Sequence, residues 1–157
     1  MSFEYPRTIR FHETDAAGVV YFANLLTLCH ETYEASLAST GIDLHQFFGG
    51  ASTAVPVVHA EIDFRRPLHC GDRVLIMMVP RQVDETSFEV EFRLLCIVNP
   101  VNTLAIAMTR HVCIVPETQQ RQSLTPELTN WLEIYGAGVN AESVDGVSVN
   151  ARSAQEA

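Results

Sequence analysis

The stretch that decides the fold is Thr8–Leu25, TIRFHETDAAGVVYFANL, together with the residues that follow it to Leu37. It opens as an extended segment, breaks at Asp15-Ala16-Ala17-Gly18 and continues with apolar residues at Phe22, Leu26, Cys29, Tyr33 and Leu37. Spacings of three and four put these on one face of a helix, predicted over Val19–Ser39, with Glu31 and Glu34 on other faces. Gly41 follows at the place of a left-handed cap. An acid thus sits in a tight turn just ahead of a helix start, where backbone N–H groups lack intrahelical acceptors and carry partial positive charge. A carboxylate beside such donors can attack a carbonyl, or drive water onto it, while the donors hold its oxygen.

Working outward, Tyr5–Phe11 reads as a strand with Ile9 and Phe11 on one face. After the helix, Ile42–Thr53 is a loop or short helix. Val57–Phe64 alternates, with Val58, Ala60, Ile62 and Phe64 opposite His59, Glu61 and Asp63. Val74–Val79 is continuously apolar, as in a strand covered on both sides. Asp84–Ser87 is a hairpin turn, followed by Phe88, Val90, Phe92 and Leu94 alternating with charged residues. Asn99-Pro100-Val101-Asn102 turns the chain again. Leu104–Val115 is the last long strand, with Leu104, Ile106, Met108, Val112 and Ile114 in phase. Thr125-Pro126 opens a short helix carrying Leu128, Trp131 and Leu132. Residues 1–135 form one domain, and the small, polar segment 136–157 reads as a mobile tail. A single sheet covers only one side of a long helix and leaves its own edges and far face open, so an oligomer is expected.

Composition narrows the function. The 157 residues, 47% of them hydrophobic, suffice for one globular core. A net charge of -9 disfavours nucleic acid and anionic membranes as partners. No secretory signal or membrane-length apolar run is seen, and four scattered cysteines, Cys29, Cys70, Cys96 and Cys113, read as reduced core thiols of a cytoplasmic protein. There is no lysine: the ten Lys-plus-Arg positions are all arginine. That excludes lysine Schiff-base chemistry and the lysine-bearing phosphate loop. Neither a Gly-x-Ser-x-Gly elbow nor metal-ligand spacing is present; His59-x-Glu61 lacks the Pro-Cys-x-x-Cys that zinc deaminases carry.

Thr14-Asp15-Ala16-Ala17-Gly18-Val19-Val20-Tyr21-Phe22-Ala23-Asn24 resembles the signature of the 4-hydroxybenzoyl-CoA thioesterase family, and the likeness extends through Gly71-Asp72-Arg73 into the last strand. The resemblance implies the α+β hotdog fold, a five-stranded antiparallel sheet wrapped around one long helix. It implies hydrolysis of an acyl-CoA by a dimer or tetramer without metal or redox cofactor. It places the catalytic carboxylate on Asp15 and the oxyanion donor on the backbone N–H of Phe22. Finer details, among them Leu28-Cys29-His30-Glu31, Val58-His59-Ala60 and His69-Cys70-Gly71-Asp72-Arg73, are similar to members acting on a dihydroxynaphthoyl thioester. Many relatives carry Tyr or His in place of Phe22 and an acid in place of His30.

Several residues admit two readings. Asp15 also suits a turn or cap. Gly18 allows a sharp turn and equally the close approach of a thioester. Tyr21 and Phe22 suit core or the wall of an aromatic pocket. His59 is a structural histidine or a substrate contact. His12 and His30 are secondary candidates, Glu31 and Glu34 are rival carboxylates, and Arg65, Arg66 and Arg73 are available to phosphates. A short- or medium-chain acyl-CoA thioesterase and a non-catalytic acyl-CoA or acyl-carrier-protein binding module are the alternative functions.

Overall fold

The structure, a computed structural model, describes residues 1–99 and 102–136. Of the expected tail, residues 136–157, all but Gly136 lie outside the described residues. Strand β1 (Phe3–Thr8) is followed by a single 3₁₀ turn (Phe11–Glu13), helix α1 (Phe22–Ser39), helix α2 (Leu44–Gly49) and strand β2 (Val57–Phe64). Strands β3 (Arg73–Asp84), β4 (Ser87–Cys96) and β5 (Thr103–Val112) and helix α3 (Pro126–Tyr135) complete it. The five strands form one antiparallel sheet in the order β1-β3-β4-β5-β2, so β1 and β2 are its edges.

One face of this sheet carries the core. Val74, Ile76 and Met78 of β3, and Phe88, Val90, Phe92 and Leu94 of β4, are buried with Leu28, Cys29, Tyr33 and Leu37 of α1. Helix α3 adds Leu128, Trp131 and Leu132 to the same cluster. The long helix therefore shares the core face with α3, and the Trp131 indole N–H donates to Ser36 Oγ at 3.0 Å across the two helices. Thr125 caps α3 by accepting the Leu128 N–H, with Pro126 in its first turn.

Three expectations are corrected. The first strand ends at Thr8, and Phe11 is exposed, because the chain winds into the 3₁₀ turn once Glu13 captures the Arg10 N–H at 2.6 Å. Helix α1 begins at Phe22, since Val19 and Val20 are held in bridges to His69 and Thr14. Its buried face runs through Leu25, Leu28, Cys29, Thr32, Tyr33, Ser36 and Leu37. In β5 the inward residues are Ala105, Ala107, Thr109 and His111, whereas Ile106 and Met108 lie half-buried on the outer face. The cause is volume: Phe92 stands opposite Ala107 and Leu94 opposite Ala105, so large β4 side chains leave room only for small partners.

Among the described residues nothing covers the outer face. Leu75, Met77, Val79, Ile106 and Met108 are half-buried there, so β3 is fully covered on one side only. Both faces of β2 are largely exposed. Among the described residues no helix is long and apolar enough to cross a bilayer. Cys29 and Cys113 are buried free thiols, and Cys96 is partly buried. Cys70 is exposed in the turn before β3, where the Gly71 backbone (φ 93°) carries the chain round, and so departs from a core position.

Candidate active site

Thr14–Val20 forms a small hairpin that carries Asp15 in the segment leading into α1. Thr14 bridges Val20, the Asp15 N–H donates to Val19 O at 2.8 Å, and the Gly18 N–H closes the turn on Asp15 O at 3.0 Å. Gly18 adopts φ 79°, a left-handed conformation that favours glycine, and a Cβ there would meet nothing within 4 Å. Asp15 is exposed, and its Oδ1 accepts the Ala17 N–H at 2.8 Å. Oδ2 has no donor among the described residues. The turn reading and the reactive reading of Asp15 therefore coexist: one oxygen orients the carboxylate and the other is open.

The hairpin is docked on both sides. The Val20 N–H donates to Leu68 O at 2.8 Å, and the Tyr21 N–H donates to Glu13 O at 2.9 Å. Tyr21, the residue before α1, has extended backbone and supplies no capping side-chain acceptor. The Phe22 N–H has no acceptor among the described residues, so the helix begins with an open donor of the kind that binds anionic oxygen. The Phe22 ring is 61% exposed and packs on Tyr21 with centroids 4.7 Å apart. Both rings are exposed rather than core. A cleft of about 320 Å³ is bounded by Val19, Val20, Leu25 and Phe64, with Arg65 and Arg66 along it; Asp15, Tyr21 and Phe22 are not among its lining residues.

The structure does not bring His59 to this site within one chain. It pairs with Arg110 on the outer face, with Glu61 Oε2 3.4 Å from its ring. Its strand reaches the cleft only at Phe64, five residues on, roughly 16 Å at the usual strand rise. The rival carboxylates are engaged: Glu34 pairs with His30 Nδ1 at 2.8 Å, and Glu31 accepts from Tyr5 and Arg7. His12 is exposed in the 3₁₀ turn. Arg73 lines a separate cleft with Arg7 and Arg10. Among the described residues no group of three or more His, Cys, Asp or Glu is placed to hold a metal ion.

With this geometry in hand, residues 9–132 match the model of the thioesterase-like superfamily. The chain belongs to that superfamily. Among curated relatives, this thioesterase-like chain is 50% identical over 130 residues to the 1,4-dihydroxy-2-naphthoyl-CoA hydrolase of Rippkaea orientalis, covering 83% of the chain and 94% of that protein. It is 51% identical over 128 residues to the enzyme of the same name from Crocosphaera subtropica, covering 82% and 93%. Among solved structures it resembles a 1,4-dihydroxy-2-naphthoyl-CoA thioesterase from Synechocystis, with a TM-score of 0.80, 35% identity, and coverage of 84% and 96%. The hotdog-like architecture and the thioesterase relationship read from the signature are thus shown.

Two residues of this thioesterase-like site escaped the reading of the sequence. Asn24 donates its side-chain Nδ2–H to Glu13 O at 2.9 Å, and Glu13 is buried, 6% exposed, beneath the hairpin. The one available signal was an acid in a helix-proximal segment with Arg7 and Arg10 close by. Nothing local distinguishes such an acid from a solvated one.

Proposed function

We propose that this chain hydrolyses 1,4-dihydroxy-2-naphthoyl-CoA to the free acid and CoA. The reading is carried by two groups of one hairpin-to-helix segment, the Phe22 N–H and the second carboxylate oxygen of Asp15, neither of which has a hydrogen-bond partner among the described residues. In this reading the thioester carbonyl oxygen accepts the Phe22 N–H, and Asp15 attacks the carbonyl carbon or takes a proton from the water that does. The tetrahedral intermediate collapses by expelling the CoA thiolate, which leaves the free acid where water attacked, or an Asp15 mixed anhydride that a water then opens to the acid and free Asp15 where the carboxylate attacked. An aryl acyl group lies against Tyr21 and Phe22, and Gly18 leaves room for the thioester. The names of the relatives support the substrate, and the half-identity to them supports its transfer to this chain.

The enzyme acts as a cytoplasmic homo-oligomer, dimer or tetramer, and requires no cofactor. Exposed Val57, Val58 and Phe64 on the β2 edge support association through that edge. His59, on the same strand, would then face a neighbouring subunit's site.

A panel of aromatic and aliphatic CoA thioesters, assayed for free-thiol release, tests the substrate. The naphthoyl thioester should give the highest kcat/KM; a short- or medium-chain substrate ahead by tenfold would overturn the assignment, and binding without thiol release would indicate a non-catalytic module. Single turnover in ¹⁸O-water separates the two chemical routes: label incorporated into Asp15 marks an acyl-enzyme anhydride.

A further inference from the structure

We propose that Glu13, clamped by Arg7, is a positioning residue for this reaction: it holds the Asp15 hairpin against the first turn of α1. The inference rests on the reading of Asp15 and the Phe22 N–H given above and adds a residue to it. Glu13 lies two positions before Asp15, and both its side chain and its main chain are committed. Its carboxylate accepts from Arg7 Nη1 at 2.8 Å, lies 2.6 Å from Arg7 Nη2, and accepts the Arg10 N–H at 2.6 Å. Its main-chain carbonyl accepts the Tyr21 N–H and the Asn24 side chain, both at 2.9 Å. Tyr21 immediately precedes Phe22, so one residue ties the hairpin bearing the acid to the first turn of the helix bearing the donor.

Arg7 extends the clamp. The same guanidinium bonds Glu31 Oε1 at 3.2 Å and Oε2 at 3.1 Å, and Tyr5 Oη donates to Glu31 at 2.8 Å. β1, the hairpin and α1 therefore meet at one planar fork, a geometry that suits arginine and not lysine. Arg7, Glu13 and Glu31 are not members of the buried apolar cluster that holds the sheet to the helices, and Tyr5 packs against its margin. Burial and full occupancy keep the Glu13 carboxylate away from substrate. What it controls is the separation of Asp15 from the Phe22 N–H, and misplacement by about 1 Å at such a site costs on the order of 10² in rate.

The test uses the full chain and compares Glu13→Gln and Glu13→Ala with Ser36→Ala, which removes the Trp131 contact far from the hairpin. All are assayed well below their Tm. Gln keeps one acceptor oxygen for the Arg10 N–H. Turnover should fall in the order wild type, Gln, Ala, by about tenfold or more for Ala, with KM within threefold, while Ser36→Ala keeps wild-type kcat despite a lower Tm. Should Glu13→Ala not fold, Arg7→Lys, which keeps the charge and loses the fork, must show the same kcat loss at constant KM. Wild-type kcat in the folded Glu13 or Arg7 variants, or a loss confined to KM, overturns the positioning role. Asp15→Asn separates the two levels: if it is inactive while Glu13→Ala is fully active, only the clamp fails. If Asp15→Asn is fully active, the site reading and the clamp fail together.

Discussion

The Ala17 N–H donates to one carboxylate oxygen of Asp15, at 2.8 Å, and leaves the other open. Asparagine can reproduce the first contact through its amide oxygen but cannot act as a nucleophile or base. Asp15→Asn should therefore keep the hairpin and the Tm within a few degrees while turnover falls by roughly 10²-fold or more. Thiol release in steady state, alongside thermal unfolding, checks this. Near wild-type turnover would remove Asp15 from the chemistry.

Tyr33 is fully buried among Phe88, His111 and Trp131, and its hydroxyl has no hydrogen-bond partner among the described residues. Burial pushes its pKa well above the ordinary tyrosine value, so the hydroxyl stays neutral. Removing an unpaired buried hydroxyl costs no hydrogen bond and relieves a desolvated dipole. Tyr33→Phe should leave stability unchanged or raise it by up to about 1 kcal/mol. Urea unfolding would show the opposite, a fall of the midpoint, if the hydroxyl were paired.

His111 stacks on Phe88, with centroids 4.8 Å apart and planes 6° from parallel, and its Nε2 lies 2.9 Å from Thr109 Oγ1. Burial, reinforced by the nearby His30, lowers its pKa from 6.5 to about 4. The unfolded chain then binds a proton that the folded chain refuses. Stability from this residue is full above pH 6.5 and is lost as pH falls towards 4, about 3 kcal/mol in all. Urea titrations at several pH values should show the slope, and His111→Phe should flatten it over that window. An unchanged slope would assign the acid sensitivity to other groups.

Glu13 behaves in the same direction lower on the scale. Burial raises its pKa, but the Arg7 bond, the Arg10 N–H and the Arg7 charge outweigh that and hold it below the usual 4.5. Its contribution is present above the unfolded value and disappears as pH falls through the folded one. Between neutrality and pH 5, Glu13→Gln should therefore unfold with the same pH slope as wild type, the two diverging only below about pH 4.5.

Val58 and Phe64 stand 56% and 51% exposed on β2, at the open edge of the sheet. If that edge joins two copies, Val58→Arg and Phe64→Asp should shift the sedimentation coefficient to that of a monomer and lower turnover with it. A chain that sediments as a monomer before mutation contradicts the association.

Much of the fold was legible because its elements carry simple periods. The bounds of β2 are those its alternation predicted, and the hairpin at Asp84–Ser87 and the Thr125-Pro126 cap stand where their turn chemistry put them. The Asp15 turn was legible for the same reason: an Asp four residues before a helix-period pattern, followed by Gly18, is local information. The inward face of β5 was not. Ala105 and Ala107 alternate with Ile106 and Met108, so both faces are apolar, and only the bulk of Phe92 and Leu94 across the ladder selects the small ones.

The amino acids alone set the order of the elements and put an acid in a turn, since each depends on residues within a few positions of one another; the start of α1, at Phe22 and not Val19, followed from the bridges that hold Val19 and Val20. Folding alone settled that Glu13 is buried against Arg7, that Glu31 is paired with Arg7, and that His59 lies away from Asp15 in its own chain. Those outcomes depend on which distant groups meet. A charge in a sequence carries no mark of whether water or a guanidinium two dozen residues away will solvate it.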